Sequence, residues 1–515
     1  MTSTATPCLL SIDIGTTGGR SVIFSSKGEI LASAYKEYSC EYPSPICVEQ
    51  NAEDWWQVTK ETIKNVLKKT PSLKSNLAGV SVTNQRETIV PVSENGKPLS
   101  KAIVWQDRRT TEECEIIKEK IGLEKIYEKT GLTIDPYFSG PKILWIKKNL
   151  PDIYKQTHKF LLVHDYIQYK FTSQFITDFS NASRTMLFNI NKLEWASSIL
   201  NILEIAEEKL PQPYPSGKTI DTITNTAAKE SGLPKDLPVI TGGGDQQCAA
   251  LGVGVTKKGR IKATTGTGTF LLAYLEKSKR DPEKRVLCSC HTIPGKYVLE
   301  ASIFTTGSIL RWFRDNFSSA EKSLAPRLDL DTYDLLAKQA ESIPAGSEGV
   351  FVLPHFTGAG APHWNPSARG LIFGLGLGHT RNHIIRAIME ATCYEIRLNL
   401  EIMKNLQVPL KELRITGGAS KSELWNQIQA NITGLNVIKG RISEATALGA
   451  AILAAAGTNI YSSIEQAAEN MIKIEDKISP IKKDVEQYSE YFNIYSKLYQ
   501  IIESNNLYNE LGKIR

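Results

Sequence analysis

The chain has 515 residues, of which 41% are hydrophobic and 23% charged, and its formal net charge is +6 at pH 7. This length exceeds the size at which a single hydrophobic core keeps growing, so two domains are expected. The lysine-rich stretches at residues 64–74 and 473–483 are interleaved with polar and apolar residues. Such interleaving is typical of solvated helix faces rather than of a nucleic-acid site, so no nucleic-acid partner is expected.

The cysteines and the apolar runs indicate the compartment. The eight cysteines are scattered, and residues 288–291 (CSCH) lack a second Cys/His cluster at zinc-finger spacing, so reduced thiols are expected. The N-terminal segment has no basic region before its short apolar run, which predicts that there is no signal peptide. The sequence has no run of about 18 apolar residues, so no membrane span is predicted. These features favour a cytoplasmic protein without a membrane partner.

The chain begins with a pattern that suits phosphate binding. Residues 9–14 predict a strand, residues 15–19 (GTTGG) a tight turn, and residues 20–24 and 30–35 two further strands. Glycine lets the backbone approach a ligand closely, while turn N–H groups and threonine hydroxyls donate to phosphate oxygens. Asp13 directly precedes the turn and could hold Mg²⁺, which favours carboxylates. An ordinary hairpin is the alternative.

A charged pair follows the next predicted strand. Residues 79–83 (GVSVT) predict a buried strand, and Arg86 and Glu87 come directly after it. Ligands of open α/β sheets bind at the carboxyl ends of the strands. A guanidinium beside a carboxylate suits a neutral ligand with adjacent hydroxyls, each of which both donates and accepts. The alternative is a surface ion pair at a strand end.

The opening pattern recurs in the second half of the chain. Residues 260–264 predict a strand, residues 266–269 (GTGT) a turn, and residues 270–274 a second strand. A repeat separated by about half the chain predicts two similar domains that face each other across a cleft. Asp245 precedes the short segment 246–250, where it could act as the N-cap of a helix, in catalysis, or as both.

Three helices are predicted in the last part of the chain. Residues 383–403 carry apolar residues mostly three and four positions apart, which predicts one buried face. Residues 444–456 (EATALGAAILAAA) predict a helix of small side chains, packed either at a domain interface or in a core. The aromatic residues between positions 485 and 502 predict a packing stripe on another helix.

Several motifs resemble the FGGY family of carbohydrate kinases, from residue 9 to about residue 499. They are residues 137–149 (YFSGPKILWIKKN), 242–247 (GGGDQQ), 370–375 and 383–390. The resemblance implies an α/β fold of two similar actin/hexokinase/Hsp70-like (ribonuclease H-like) domains with a catalytic cleft between them. Residues 1–253 would form the N-terminal domain, with the substrate side and the Mg²⁺/phosphate turn. Residues 254–515 would form the C-terminal domain on the nucleotide side.

Within the family, the substrate side is similar to the glycerol kinases, at residues 83–88, 102–110, 181–189 and 356–364. This similarity implies an enzyme that transfers the γ-phosphoryl group of ATP to a primary hydroxyl, converting glycerol to glycerol 3-phosphate with Mg²⁺. The implied catalytic base is Asp245, and the implied metal residue is Asp13. The implied substrate-binding residues are Arg86, Glu87, Trp105, Tyr137, Asp245, Gln246 and Phe270. The implied nucleotide-binding residues are Thr16, Thr17, Arg20, Thr267, Gly268, Gly307, Arg311, Gly418 and Ser422.

Two of these positions depart from the glycerol kinase pattern. Arg311 stands where a glutamine is usual and Ser422 where an asparagine is usual, and both surrounding segments resemble ketose kinases and autoinducer-2 kinases. A kinase of another small sugar is therefore an alternative, acting on a ketopentose such as xylulose, a tetritol or an autoinducer-2 type substrate. A further alternative is a non-catalytic, nucleotide-dependent binding or regulatory protein. A homodimer or homotetramer is compatible with the resemblance.

Overall fold

A computed structural model describes residues 6–514, and the chain divides into two compact units. Unit 1 comprises the described part of Met1–Thr256 together with Tyr274–Val298 and Glu444–Lys473. Unit 2 comprises Lys257–Ala273, Leu299–Ser443 and the described part of Ile474–Arg515. Both units are thus built from separated segments, and the division into two continuous domains at residue 253 stays a prediction. The expected absence of a signal peptide rests partly on residues 1–5, which lie outside the described range.

The central sheet of unit 1 has the strand order β14-β15-β6-β1-β2-β3. Strands β1 and β2 form an antiparallel hairpin, while β1 and β6, and β6 and β15, run parallel. The hairpin and the third strand predicted near the N-terminus are confirmed. The bounds are β1 Cys8–Ile14, β2 Gly18–Ser25, β3 Ile30–Glu37, β6 Leu77–Asn84, β14 Thr219–Thr222 and β15 Pro238–Gly244.

Unit 1 also holds a smaller sheet with the strand order β4-β5-β8-β7-β9. Its strand β7 begins two residues after Glu87, so this sheet helps to fix the segment that carries the charged pair. The remaining strands of unit 1 are β4 Glu41–Ser44, β5 Cys47–Gln50, β7 Ile89–Val92, β8 Ala102–Ile103, β9 Lys159–Leu162, β10 Ile176–Asp178, β11 Phe188–Asn189, β12 Glu194–Trp195, β13 Gln212–Tyr214 and β18 Leu287–Cys290.

The helices of unit 1 include the predicted helix of small side chains, α16. It packs against α10 and against β1, β6 and β15, so its place is in the core of unit 1. A Cβ added to Gly252 of α10 would lie 1.9 Å from the carbonyl oxygen of Ala445, which explains why these helices need glycine at their contact. The helices are α1 Ala52–Lys69, α2 Thr111–Lys120, α3 Leu123–Thr130, α4 Ser139–Asn149, α5 Pro151–Gln156, α6 Val163–Thr172, α7 Phe179–Ala182, α8 Ser197–Leu203, α9 Asn225–Ser231, α10 Asp245–Gly252, α16 Ala445–Gly457 and α17 Ile464–Met471.

Unit 2 repeats the strand order of the first unit, with β19, β17, β16, β22, β23 and β24 side by side. Strands β16 and β17 form an antiparallel hairpin, β22 and β23 run parallel to β16 and to each other, and β24 is antiparallel at the end. The predicted repeat is therefore confirmed as a repeat of topology. The bounds are β16 Gly259–Thr265, β17 Thr269–Leu275, β19 Tyr297–Ile303, β20 Phe351–Leu353, β21 Leu371–Phe373, β22 Leu410–Thr416, β23 Asn436–Gly440 and β24 Ile474–Ile478.

The helices of unit 2 enclose a separate hydrophobic core. The long helix α14 buries the predicted apolar face, and α18 adds the buried aromatic stripe of Tyr488, Phe492, Tyr495 and Tyr499. The helices are α11 Gly307–Phe317, α12 Ser319–Leu324, α13 Thr332–Glu341, α14 Arg381–Asn405, α15 Glu423–Thr433, α18 Lys482–Ser504 and α19 Leu507–Ile514. Among residues 6–514, no helix has both the length and the apolar character needed to cross a bilayer.

Candidate active site

Three strands of unit 1 end at the same edge of its central sheet. In the parallel pairings, Asp13 of β1 lies opposite Thr83 of β6, and Asn84 of β6 lies opposite Gly244 of β15. Asp245 follows as the first residue of α10. The sheet therefore brings Asp13, the segment after β6 and Asp245 to one edge, where ligands of α/β sheets bind.

Arg86 lies in the middle of a buried ionic network at this edge. Its side chain is 2% exposed, with Nε 3.4 Å from an oxygen of Asp245 and 3.7 Å from an oxygen of Glu87. Its Nη1 also donates to the Oε1 of Gln247 at 3.1 Å. A Cβ at Gly244 would lie 2.5 Å from the Cδ of Arg86, so the glycine makes room for the guanidinium stem. The predicted pairing of Arg86 with Glu87 is thus buried rather than a surface ion pair.

Glu87 is held in a backbone conformation that side chains rarely adopt. Its φ is 64°, in the left-handed region, which costs a non-glycine residue about 1–2 kcal/mol. The Nε of Arg184 donates to its carboxylate at 2.6 Å. Ser139 and Lys142 donate to its backbone oxygen at 3.1 Å and 3.3 Å. These contacts fix both the backbone and the carboxylate of Glu87.

Arg184 and Lys142 are site residues to which the sequence analysis assigned no role. Both are fully buried, and burial lowers the pKa of Lys142 to about 8. Lys142 also donates to the backbone oxygen of Tyr137 at 2.7 Å, so it links two of the predicted substrate-binding residues. In the sequence, the feature that could have indicated them is a single charged residue in each of the mostly apolar segments 141–146 and 182–188.

Trp105 and Tyr137 form an aromatic wall beside this network. Their rings meet edge to face with centroids 5.6 Å apart, and the guanidinium of Arg184 lies 5.5 Å from the Tyr137 ring. The indole N–H of Trp105 donates to the hydroxyl of Thr16 at 2.9 Å. Trp105, one of the predicted substrate-binding residues, is therefore attached directly to the Gly/Thr turn.

Asp245 is the first residue of helix α10 rather than the residue that caps it. The N-cap of α10 is Gly244, so the alternative in which Asp245 caps the helix is wrong, because Asp245 is already its first helical residue. Its Oδ1 accepts from the backbone N–H of Gln246 at 2.8 Å, and its Oδ2 accepts from the side chain of Gln246 at 3.0 Å. The side chain is 31% exposed, which leaves part of the carboxylate accessible.

The Gly/Thr turn between β1 and β2 is closed by a hydrogen bond from Gly15 N–H to the Gly18 oxygen at 3.0 Å. The backbone oxygen of Thr16 accepts from Gln50 at 2.7 Å, and that of Thr17 accepts from Tyr38 N–H at 3.1 Å. Neither hydroxyl of these threonines is therefore needed to hold the backbone of the turn.

Arg20, the predicted cationic partner of phosphate, forms an ion pair with Glu444. Its guanidinium also lies 5.3 Å from the ring centroid of Tyr35. Glu444 directly precedes α16, and the sequence analysis gave it no role. The residue before α16, which is distant from β2 in the sequence, thus supplies an anion to this edge of the sheet.

Asp13 lies in a strongly anionic environment. Burial, together with the carboxylates of Asp245 and Glu444, raises its pKa from 3.8 to about 7, while Arg20 acts in the opposite direction. A half-buried carboxyl crowded by other carboxylates fits a site that a divalent cation would neutralise.

The raised pKa of Asp13 predicts a pH-dependent stability. Because the folded state binds the proton more tightly than the unfolded state, the free energy of unfolding falls as pH rises from about 4 to 7. Asp13→Asn removes this loss, so its Tm should exceed that of the unchanged protein by about 2 °C or more at pH 8, and by much less at pH 5. Thermal unfolding without divalent cations measures both values. If the difference in Tm between Asp13→Asn and the unchanged protein were the same at pH 5 and pH 8, the raised pKa of Asp13 would be contradicted.

In unit 2, the second Gly/Thr turn is tied to the start of α11. The backbone oxygen of Thr267 accepts from Thr306 N–H and from Ser308 N–H, both at 3.1 Å. A Cβ at Gly268 would lie 2.5 Å from the Ile303 oxygen, and one at Gly307 would lie 2.2 Å from the Gly266 oxygen. These close backbone approaches explain the glycines at the predicted nucleotide-binding positions.

The other predicted nucleotide residues lie around the same part of unit 2. Gly418 begins a 3₁₀ turn directly after Gly417, whose φ is 92° and whose added Cβ would lie 2.5 Å from the Thr265 oxygen. Ser422 caps α15, since its hydroxyl accepts from Trp425 N–H at 3.3 Å. Arg311 is exposed on α11, one turn after Gly307.

Phe270, the seventh predicted substrate residue, lies on β17 of unit 2. The six other predicted substrate residues form one connected group within unit 1.

The fold agrees with the family that the motifs indicate. Residues 8–252 match the N-terminal domain, and residues 261–458 the C-terminal domain, of the FGGY family of carbohydrate kinases. The chain belongs to this family. It is accordingly an ATP-dependent phosphotransferase that acts on a sugar or polyol.

Individual relatives cover nearly the whole chain. A glycerol kinase of Thermococcus gammatolerans is 38% identical over 478 residues, 92% of this chain and 93% of that protein. Glycerol kinase 2 of Saccharolobus solfataricus is 38% identical over 487 residues, 92% of this chain and 94% of that protein. The crystal structure of Plasmodium falciparum glycerol kinase with ADP has a TM-score of 0.85 and 25% identity, and covers 96% of this chain and 98% of that chain. A ligand-bound xylulose kinase from Lactobacillus acidophilus has a TM-score of 0.90, covering 98% of this chain and 100% of that one; at 23% identity it supports the fold alone.

Proposed function

We propose that this protein phosphorylates glycerol to glycerol 3-phosphate with ATP as the donor. The observation that carries the proposal is the network of Arg86, Glu87 and Asp245 beside the aromatic pair of Trp105 and Tyr137. The glycerol kinases that are 38% identical over most of the chain add support. The donors and acceptors suit vicinal hydroxyls, and the rings suit a short carbon backbone.

In this proposal, Asp245 accepts the proton of the attacking primary hydroxyl. Its two hydrogen bonds from Gln246 and the nearby Nε of Arg86 hold the carboxylate in place while part of it stays accessible. Phosphoryl transfer needs positioning and charge neutralisation more than covalent chemistry, so a fixed base at hydrogen-bonding distance is sufficient. Glu87 and Arg86 would bind the remaining hydroxyls and orient the one that reacts.

The Gly/Thr turn of each unit is a proposed phosphate-binding segment. Thr16, Thr17 and Arg20 are proposed to bind phosphates from unit 1, and Thr267 and Gly268 from unit 2. Gly307, Arg311, Gly418 and Ser422 would border the nucleoside. Asp13 is proposed to hold Mg²⁺, which would neutralise charge on the transferring group; the carboxylates that raise the pKa of Asp13 make its surroundings suitable for a cation. A cytoplasmic location and a homodimer or homotetramer stay predictions from the sequence.

A substrate panel tests the proposal. ADP release is measured with ATP, Mg²⁺ and one of glycerol, erythritol, D-xylulose or an autoinducer-2 type substrate. We expect glycerol to give a kcat/KM about tenfold or more above each longer substrate, because an extra carbon and hydroxyl change transition-state binding by about 1–3 kcal/mol. Basal ADP release without an acceptor should stay low, since water must be excluded from the site.

The panel also separates the alternatives. A longer sugar with the highest kcat/KM would replace glycerol as the substrate and leave the kinase assignment intact. ATP binding without turnover on any acceptor would instead favour a nucleotide-dependent binding protein. Similar ADP release with and without glycerol would contradict the assigned acceptor site.

A further inference from the structure

A second cluster of ligating side chains lies in unit 2, away from every residue assigned above. His355 follows β20, His363 lies in the loop that follows, and Glu395 lies in the middle of α14. One ligand atom of each lies within 4.8 Å of the other two. Among residues 6–514, this is the cluster of His, Cys, Asp or Glu side chains whose spacing could hold a metal ion.

The cluster leaves buried nitrogen atoms without hydrogen-bond partners. His355 is 3% exposed, and the Nε2 atoms of both His355 and His363 are buried and make no hydrogen bond. The shortest approach of His355 to Glu395 is 3.9 Å, too long for a hydrogen bond. Buried polar atoms are normally paired, so two unpaired imidazole nitrogens in a cluster with a carboxylate indicate a missing ligand.

The surrounding residues orient the three side chains as a metal site requires. The hydroxyl of Tyr495 donates to Glu395 Oε1 at 2.7 Å, which directs the carboxylate. The ring of Tyr499 stacks on His363 with centroids 3.5 Å apart, which restrains the imidazole.

We propose that His355, His363 and Glu395 form a binding site for one divalent transition-metal ion of the zinc type. Two imidazoles and one carboxylate are a known zinc ligand set, whereas Mg²⁺ and Ca²⁺ prefer oxygen ligands throughout. Zinc ligands lie about 2.0–2.2 Å from the ion, so binding would draw the three side chains closer together.

The ion would tie the loop that carries His363 to α14. This loop is already attached to the core by Ala361 N–H, which donates to the Ser302 oxygen at 2.8 Å, and by Asn399, which donates to the Ala361 oxygen at 3.1 Å. Ser302 lies near the end of β19, five residues before Gly307. The bound metal would therefore stabilise the part of unit 2 that leads into the proposed nucleotide segment.

The test uses the full-length protein, freed of metal with a chelator and kept without nucleotide. It is titrated with Co²⁺ and Zn²⁺ while visible absorption, metal content and Tm are recorded. The unchanged protein should bind one Zn²⁺ per chain, show Co²⁺ absorption bands of a tetrahedral nitrogen/oxygen site, and gain several °C in Tm. His363→Gln and Glu395→Gln should each weaken Zn²⁺ binding at least tenfold.

His379→Gln is the matched control, because His379 and His383 form another histidine pair with ring centroids 5.0 Å apart. It should bind Zn²⁺ like the unchanged protein. Loss of binding in His379→Gln with retention in His363→Gln would overturn the proposal. If the variants fail to fold, the metal titration of the unchanged protein tests the proposed site by itself. The proposal is overturned if the unchanged protein takes up no stoichiometric metal.

Discussion

Asp245→Asn is expected to lower kcat for glycerol about 10³-fold, within the range attributed to a general base. Asparagine keeps the shape of the side chain and its acceptor oxygen for the N–H of Gln246, but it cannot take the proton of the attacking hydroxyl. Since the polyol contacts through Arg86 and Glu87 are retained, the dissociation constant of glycerol should change only a few fold. Steady-state ADP release gives kcat, and calorimetry with glycerol gives the dissociation constant.

Asp236→Asn is the matched control for this substitution. Asp236 belongs to the same unit, is exposed, and has a φ of 63°, which asparagine tolerates well. Its kcat should equal that of the unchanged protein. Near-normal turnover of Asp245→Asn with glycerol still bound would remove Asp245 from the role of base.

Arg86→Ala is expected to raise KM for glycerol about 10- to 100-fold, because hydrogen bonds from a charged donor contribute about 1.5–3 kcal/mol. The change also leaves Glu87 with one cationic partner fewer, so a loss of stability accompanies it. Arg86→Lys keeps the charge but loses the planar fork, and an intermediate KM is expected. The measurement is KM and kcat for glycerol together with urea unfolding.

A control must separate lost substrate contacts from lost stability. Arg285→Ala also removes an ion pair to a buried carboxylate in unit 1, that of Asp281, with an Nε to Oδ2 distance of 2.9 Å. It should lower stability without changing KM. If Arg86→Ala leaves KM unchanged for every polyol in the panel, the substrate lies elsewhere.

The local elements of this fold were predictable from sequence patterns. The hairpin at β1 and β2 and its repeat at β16 and β17 follow from apolar strands on both sides of Gly/Thr turns. The helix α16 was predicted as well, but its packing partner was not. Small apolar residues cover all its faces, so no periodicity indicates which side contacts the sheet of unit 1.

Without the family resemblance, the site was predictable only where its residues directly follow or precede a strand or a turn. Arg86, Glu87 and Asp13 stand directly after or before such signals in the sequence. Arg184, Lys142 and Glu444 reach the same edge of the sheet from distant segments, and no spacing rule connects them with their partners. The position of Asp245 was also misjudged in part, because an aspartate before a helix and one at its first residue look alike in sequence.

The proposed reaction is tested most directly by identifying its product. The protein is incubated with ATP, Mg²⁺ and glycerol, and ³¹P NMR follows the phosphorus species while ADP is quantified. We predict glycerol 3-phosphate and ADP in equal amounts, with only slow ADP formation when glycerol is left out. ADP accompanied by inorganic phosphate instead of a phosphomonoester, at a rate independent of glycerol, would contradict transfer to this acceptor.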